Sequence, residues 1–388
     1  MLKFLKIFLA FLLVLFFLPF IISPTYDFPN PKPFSGEKIW NPYQNMRPEN
    51  WRRCNFQVQS RAWAGVTDGR NNTFDKVWTT YHELGYDIIG ISDYQKINTL
   101  AKDSTGFIPI YEHGYNVRKT HQVNIGADKV LWLDFMFYQT TSHKQFILNL
   151  LRQHTKVLAL AHPAFSLEGY SHEDAAKLTN YDLFEALNMQ IYSLSHWDAA
   201  LSAGHISYIL ANDDVHDIDD PFWYGRVMTV VHAEEVSAEG IYSGLLSGNS
   251  YGFSPYTPDF DTQEKKIKRF KRLPKLREVN VEEERLTIVA DSGVAEIRFI
   301  GQGGEKRKTV KNANTAFYDF TKEDSYIRTE IDYDRDEVMY LNPVFRYSGD
   351  TPKHPEIAKI NWVKTILFNL LAFSIFSFLM ILIFRRWK

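Results

Sequence analysis

Acidic and imidazole side chains recur directly after short apolar runs in the first two thirds of the chain. Asp93, Glu112 and His162 each follow such a run, and Asp214 and His216 follow another within a few residues. In a parallel barrel, the residues that follow the strands converge on one face. Carboxylates mixed with imidazoles suit Zn, Mn or Fe, and one carboxylate can bridge two ions. The positions of these residues therefore predict a divalent-metal site.

Each of these signals also has a structural interpretation. The Asp214-x-His216 spacing arises often by chance, and His162 before Pro163 could cap the end of a strand. The repeated position after strands, rather than any one motif, is what favours a metal site. Cys54 is the one cysteine, which excludes an intramolecular disulfide and a cysteine-based zinc site. No serine has a base pattern typical of a covalent nucleophile.

The elements that must position these residues alternate between strand and helix from residue 54 to about 252. Eight runs are predicted as strands, at 55–59, 87–92, 108–111, 130–135, 157–161, 183–187, 206–211 and 226–231. A helical pattern over 74–84 ends at Gly85, and Ser171-x-x-Asp174 is a capping box that begins another helix. The alternation predicts an α/β fold built on a parallel barrel over residues 54–258.

A different pattern follows in the last third of the chain. Alternating residues at 295–300 and 326–331, with a glycine-rich turn at 301–304, predict a small antiparallel β domain over 279–350. The preceding linker, 259–278, is dense in Lys and Arg. It is interpreted as a solvated loop, with contact to anionic lipid headgroups as the alternative.

Both ends of the chain are strongly apolar. Residues 7–22 carry no charge, and 365–384 contain only Asn369 and three hydroxyl side chains as polar groups. Each is long enough to cross a bilayer, the first only just. We expect an anchor or a signal peptide at 1–23, a linker at 24–53 and a transmembrane helix at 363–384. Two buried core helices are the alternative.

The charges that flank these ends predict an orientation. Lys3 and Lys6 precede the first apolar segment, and Arg385, Arg386 and Lys388 follow the second. The positive-inside rule assigns both ends to the cytoplasm, so the intervening domain is expected on the extracytoplasmic, periplasmic side of an inner membrane. The bilayer is thus an expected partner. The formal net charge of -2 gives no overall attraction to nucleic acid, and none is expected as a partner.

The order of the motifs between residues 55 and 252 resembles that of the PHP (polymerase and histidinol phosphatase) superfamily. The motifs are Thr67-Asp68-Gly69, Ile91-Ser92-Asp93, Tyr111-Glu112, His121, Ala161-His162-Pro163 and Asp214-Val215-His216. The resemblance implies a distorted seven-stranded, TIM-like βα barrel that binds up to three metal ions. It also implies hydrolysis of phosphate esters by a metal-bound water.

This chain departs from the family pattern at three positions. The family has a His-x-His pair where this chain has Gln57 and Gln59, and a His after the second-motif Asp where this chain has Tyr94. A glutamine carbonyl is a weak ligand for a transition metal, and a neutral tyrosine is a poorer one. The resemblance still implies metal ligands at Asp68, Glu112, His121, His162, Asp214 and His216. One or two ions are therefore expected rather than three, with one held by Glu112, His121 and His162.

Two functions follow from the resemblance. In an active phosphoesterase, Asp214 and His216 would position or protonate groups, and Arg118 beside Lys119 would contact a phosphate. The substrate would be a phosphorylated small molecule, or a phosphate on an envelope glycan or lipid. The alternative is a weakened or inactive pseudoenzyme that serves as an envelope binding or scaffold domain. Glu185 is expected to orient a metal-binding histidine without binding the metal itself.

Overall fold

The computed structural model describes residues 2–67, 69, 71–165 and 169–385. Asp68, which the resemblance implies as a metal ligand, lies outside the described residues. The described part of the chain forms eight α-helices: α1 (Leu2–Ile22), α2 (Phe74–Glu83), α3 (Thr141–Leu151), α4 (His172–Lys177), α5 (Leu194–Ser202), α6 (Ala238–Ser247), α7 (Gln263–Phe270) and α8 (Trp362–Phe384).

Short strands make up most of the remaining regular structure. The strands before residue 255 are β1 (Tyr26–Asp27), β2 (Lys38–Trp40), β3 (Trp51–Asn55), β4 (Ile88–Ile89), β5 (Ile110–His113), β6 (Gln122–Ala127), β7 (Thr155–Leu160), β8 (Leu183–Asn188), β9 (Ile191–Tyr192), β10 (Tyr208–Asn212), β11 (Met228–His232) and β12 (Ser250–Ser254). Those after it are β13 (Leu276–Glu282), β14 (Arg285–Ala290), β15 (Val294–Ile300), β16 (Lys306–Lys311), β17 (Thr315–Asp319), β18 (Tyr326–Tyr333), β19 (Val338–Leu341), β20 (Val344–Tyr347) and β21 (Lys359–Ile360).

Two sheets carry the residues predicted to do chemistry. One sheet has the strand order β10-β8-β7-β6-β5, with β9 paired to β8. The other runs β16-β15-β18-β19-β12-β11-β3-β4, with β20 and β2 attached through β18. A third sheet contains β13, β14 and β17. The chain is thus a mixed α/β protein.

The predicted closed, parallel seven-stranded barrel is not confirmed. The β5–β6, β6–β7 and β3–β11 pairs are antiparallel, and the strands belong to two separate sheets. Isolated parallel bridges, Val58 with Val215 and Tyr94 with Glu112, connect the sheets without continuous ladders. Strand β4 is only two residues long, and the Gln57 and Gln59 side chains that follow β3 donate to Glu112, so these segments meet the smaller sheet through single bridges rather than ladders.

The strand predicted at 130–135 is also wrong, because these residues form a loop. Asp134 accepts hydrogen bonds from the backbone N–H groups of Tyr115 and Phe135, and the Asn116 side chain donates to two carbonyls of the segment. Side chains therefore satisfy the backbone groups that a sheet ladder would otherwise pair. The neighbour of β5 is instead β6, which the sequence reading missed.

The two halves of the globular part share hydrogen bonds and packing. Strand β12 pairs with β19, so the larger sheet continues into the predicted C-terminal β domain. Asn342 is buried at this junction: its Oδ1 accepts from the Ile209 N–H at 2.7 Å, and its Nδ2 donates to the Gly248 carbonyl at 2.9 Å. The basic segment, interpreted from sequence as a loop, contains the helix α7, and Lys266 on that helix is buried.

The terminal helices α1 and α8 pack against each other in opposite directions. Lys6 near the start of α1 donates to the Arg385 carbonyl beyond the end of α8, and at the other end β1 pairs antiparallel with β21. Both helices are long and apolar enough to cross a membrane, and most of their side chains are exposed. That exposure does not fit the alternative of two buried core helices.

Candidate metal centre

Glu112, His121 and His162 converge in the smaller sheet. Glu112 lies in β5, His121 immediately precedes β6, and His162 follows β7, so three neighbouring strands supply one residue each. The Glu112 Oε1 lies 2.6 Å from His121 Nδ1 and 3.3 Å from His162 Nε2. All three residues are buried, and their potential ligand atoms lie within 4.8 Å of one another.

The backbone around these three residues is constrained. His162 has a positive φ of 30°, and its N–H donates to Glu185 Oε2 at 2.6 Å. Glu185 therefore holds the histidine through its backbone rather than through its ring, which refines the expected orienting role. Gly114 has a φ of +131°, and a Cβ there would lie 2.5 Å from His121 Cδ2. The close approach of the histidine ring requires glycine at this position.

The electrostatics of the cluster are dominated by burial and by the contacts among its members. Burial alone would raise the pKa of Glu112, but His121 and His162 outweigh it and lower that pKa below its usual range. Burial lowers the pKa of His121. For His162, the hydrogen bond to Glu112 and nearby carboxylates overcome burial and raise the pKa to about 9. A cation bound here would displace the His162 proton.

The second carboxylate oxygen of Glu112 is occupied by two amides. The Nε2 groups of Gln57 and Gln59 donate to Glu112 Oε2 at 3.0 and 2.7 Å. Rotating either amide would turn its oxygen towards the carboxylate, so the charge of Glu112 fixes the amide orientation. The two Oε1 atoms are buried and have no hydrogen-bond partner among the described residues. Amide hydrogens thus lie against the oxygen that a second cation would need.

Asp214 and His216 form a separate pair at the edge of the cluster. His216 Nε2 lies 3.5 Å from Asp214 Oδ1, and Asp214 Oδ2 accepts from Asn188 Nδ2 at 3.1 Å. Burial raises the pKa of Asp214, but contact with His216 outweighs it and lowers the pKa. Asp214 is buried, whereas 22% of the His216 side chain is exposed. This pair can therefore exchange a proton with a molecule bound in the cavity beside it.

A cavity of about 390 Å³ opens next to these groups. Its lining consists of aromatic, acidic and cationic side chains: Tyr94, Lys119, His162, Phe165, Gln190, Asp214, His216, Asp217 and Trp223. Among the described residues, Lys119 lines the cavity, whereas the predicted Arg118 does not. Arg118 is exposed, and its guanidinium lies 5.6 Å from the centre of the Tyr138 ring.

Two acids that also follow strands are hydrogen-bonded anchors. Asp93 accepts from the N–H and hydroxyl of Ser60, and Asp213 accepts from Tyr81 and from the backbone of Gly225. Burial raises the pKa of both carboxyl groups, partly offset by these hydrogen bonds. Neither belongs to the three-residue cluster. A position after a strand therefore did not distinguish ligands from anchors.

The amides that support the site were not predicted from the sequence. Asn212 donates to Glu185 Oε1 at 2.8 Å and accepts from the Phe56 N–H at 2.8 Å. Asn188 contacts both Glu185 and Asp214. Both asparagines end buried strands, and a polar residue at the end of an otherwise apolar run was the available signal.

The donor set fits a single divalent cation. One carboxylate and two imidazoles are suitable ligands for Zn, Mn or Fe. His162 Nδ1 is buried and has no hydrogen-bond partner among the residues described, which is costly for a polar atom unless a ligand or water satisfies it. Three donors converge here, and the expected number of ions stays a prediction.

Comparison with known proteins gives little further guidance. No protein-family model matches the chain, and no curated protein sequence matches it. One similar solved structure is that of a two-domain protein containing a predicted PHP-like metal-dependent phosphoesterase from Bacteroides vulgatus. It is 13% identical, the match covers 87% of this chain and 99% of that chain, and the TM-score is 0.40. The assignment of a function therefore depends on the residues of the site itself.

Proposed function

We propose that this chain is a membrane-anchored, metal-dependent phosphoesterase of the PHP type with one firmly held ion. The observation that supports this most strongly is the convergence of buried Glu112, His121 and His162 beside a cavity. The bridges from Val58 to Val215 and from Tyr94 to Glu112 are compatible with an opened form of the PHP barrel.

The residues around the cavity divide the work of hydrolysis. Glu112, His121 and His162 would hold a divalent ion, which would supply Lewis-acid activation of a water and of a phosphoryl oxygen. Lys119 attracts and orients the negatively charged phosphate. His216, with Asp214 behind it, holds or donates a proton at the leaving oxygen. The rings of Tyr94, 5.4 Å from the His121 ring, and of Trp223 exclude water from the parts of the cavity wall that they form.

The location and substrate follow from the ends of the chain and the cavity. Helices α1 and α8 would hold the protein in an inner membrane, with the site on the extracytoplasmic side, because Lys3, Lys6 and Arg385 lie at the opposite end of the helix pair. A phosphorylated small molecule, or a phosphate on an envelope glycan or lipid, fits the cationic side chain and the volume available.

A binding domain without turnover is the second candidate. It is favoured by the two amides of Gln57 and Gln59, which lie against Glu112 Oε2 where a second ion would bind. Many phosphoryl transfer sites use two adjacent ions to clamp the attacking and leaving oxygens. A single ion beside neutral amides would then recognise a phosphate without cleaving it.

Elemental analysis of the purified full chain in detergent tests both candidates. The phosphoesterase predicts about one equivalent of bound metal and hydrolysis of a phosphomonoester or diester that is lost in His216→Gln. Metal without hydrolysis, together with phosphate binding that needs Lys119, would favour the binding domain. A chain with no bound metal and no hydrolysis would contradict the phosphoesterase.

A further inference from the structure

The loop at residues 130–138 exposes an unusual amount of apolar surface. Four of its side chains are about half exposed or more: Trp132 at 59%, Met136 at 49%, Phe137 at 49% and Tyr138 at 61%. The one charged residue of the loop, Asp134, is buried. Contiguous exposed apolar side chains generally mark a contact surface in a folded protein.

Hydrogen bonds fix these side chains in their outward orientation. The Asn116 side chain donates to the carbonyls of Phe135 and Phe137, and the Val117 N–H donates to the Met136 carbonyl at 3.0 Å. Gln139 donates to Asp134 Oδ1 at 2.7 Å. These hydrogen bonds fix the backbone of the loop, and with it the positions of the exposed rings.

The loop packs against α1 well below the outer end of that helix. The Phe137 and Phe16 rings are 5.6 Å apart, and the Phe135 and Phe20 rings are 5.1 Å apart. Phe16 precedes Ile22, the last residue of α1, by six positions. At 1.5 Å per residue, Phe16 lies about 9 Å along the helix from that end. If α1 spans the bilayer, Phe137 lies at the boundary between headgroups and acyl chains.

The exposed rings continue from α1 to the rim of the metal-site cavity. Trp132 packs edge-on against Trp63 at 5.7 Å, and the Trp63 indole N–H donates to the Tyr94 carbonyl at 2.8 Å. Tyr94 lines the cavity. Aromatic rings accompanied by a cation, here Arg118 over Tyr138, are typical of residues in a membrane interface.

We propose that this aromatic surface, formed by Trp63, Trp132, Met136, Phe137 and Tyr138, lies in the outer interface of the bilayer beside α1. The inference rests on the proposed membrane anchoring and adds a third lipid contact to the two helices. Its occupant is lipid rather than another protein, because the surface is continuous with a helix that lipid must surround. The contact brings the cavity rim to the level of the lipid headgroups.

Spin labelling of the full chain in phosphatidylcholine–phosphatidylglycerol vesicles tests this proposal. Cys54 is buried and is the sole cysteine, so Cys54→Ala provides a background for single labels. The measured quantity is the ratio of a label's collision rate with oxygen to its collision rate with a water-soluble nickel complex. This ratio should be several-fold higher for labels at Met136→Cys and, independently, at Trp132→Cys than for a label at Phe260→Cys. Phe260 is an equally apolar control, with 83% exposure, in the segment after β12.

A label at Phe11→Cys, on the exposed face of α1, separates the two proposals. If this label is in lipid while those at 132 and 136 are as accessible to nickel as the one at 260, the aromatic surface is not a bilayer contact although the anchoring stands. If the label at 11 is also in water, the membrane anchoring itself is wrong, and the inference fails with it.

Discussion

Two buried clusters of charged side chains in this protein differ in how completely they are paired. The first is the metal-site cluster around Glu112. The second joins α5 to β18, where Arg328 donates to both carboxylate oxygens of Asp198 at 2.7 and 2.8 Å and to Glu330. Tyr326 also donates to Asp198, and Arg298 also donates to Glu330. In the described structure, none of these polar side-chain atoms lacks a hydrogen-bond partner.

The metal-site cluster, in contrast, leaves buried polar atoms without partners. Gln57 Oε1, Gln59 Oε1 and His162 Nδ1 are buried without hydrogen-bond partners among the described residues. A buried polar atom without a partner costs free energy, and such atoms persist where a ligand or a catalytic role requires them. Burial of charge alone therefore does not identify a site. The metal-site cluster is distinguished by His162 Nδ1, a buried polar atom without a partner among the described residues, on a side chain that lines the cavity.

The largest expected effect comes from breaking the paired cluster. Arg328→Met leaves Asp198 and Glu330 buried without their shared cation, which should cost about 3–5 kcal/mol of unfolding free energy. Bound metal should stay unchanged. Denaturant unfolding and elemental analysis measure both. Arg285→Met is the control, since Arg285 pairs with Asp319 at the surface, where solvent screens the interaction, so its loss should cost much less. Equal losses in both variants would contradict the comparison.

Removing the central carboxylate should affect metal rather than stability. In Glu112→Gln the charge that both histidines face is lost, so metal affinity should fall by more than the roughly 10–100-fold typical of a supporting residue. Titration with Zn or Mn while metal content is recorded gives the result. Glu330→Gln is the matched control in the paired cluster. This variant should bind as much metal as the wild type but should be less stable. Unchanged affinity in Glu112→Gln would mean that the ligands are elsewhere.

Restoring the missing imidazoles should convert the site from one ion to more. Gln57→His, Gln59→His and Tyr94→His together replace the amides against Glu112 Oε2 with transition-metal ligands. The ion count should rise from about one to about two per chain, as in sites that pair adjacent ions. Adding Glu112→Gln to the triple variant should cancel the gain. A count that stays at one in the triple variant would show that these positions do not face the ion.

The sequence predicted which side chains come together better than it predicted the strands that hold them. Position after a strand, combined with the family resemblance, brought Glu112, His121 and His162 together correctly. No strand was predicted at 122–127, so the antiparallel pairing of β6 with β5 across the connection 114–121 was missed as well. The apolar run at 130–135 was predicted as a strand, because an apolar run has the same sequence pattern whether its side chains are buried or exposed.

A third kind of buried charge gives the smallest expected effect. Lys266 on α7 donates to the carbonyls of Pro221 and Tyr224, and no carboxylate of the described residues hydrogen-bonds to it. Burial lowers its pKa from 10.5 to about 8, although the charge of Asp213 partly offsets this. The unfolded chain therefore binds the proton more tightly than the folded chain between about pH 8 and 10.5, and this group makes stability rise with pH across that window.

Lys266→Met should remove this pH dependence. The unfolding free energy of the variant minus that of the wild type should be higher at pH 7 than at pH 10.5. We expect this difference to fall by on the order of 1–3 kcal/mol between the two pH values. The carbonyls of Pro221 and Tyr224 lose their donor equally at every pH, so that loss does not contribute to the slope. Unfolding free energies at matched pH values provide the measurement, and the exposed neighbour Lys265→Met should show no slope. If the difference in unfolding free energy between Lys266→Met and the wild type does not change with pH, the pKa of Lys266 is not lowered by burial. The two carbonyls would then be enough to stabilise the buried charge.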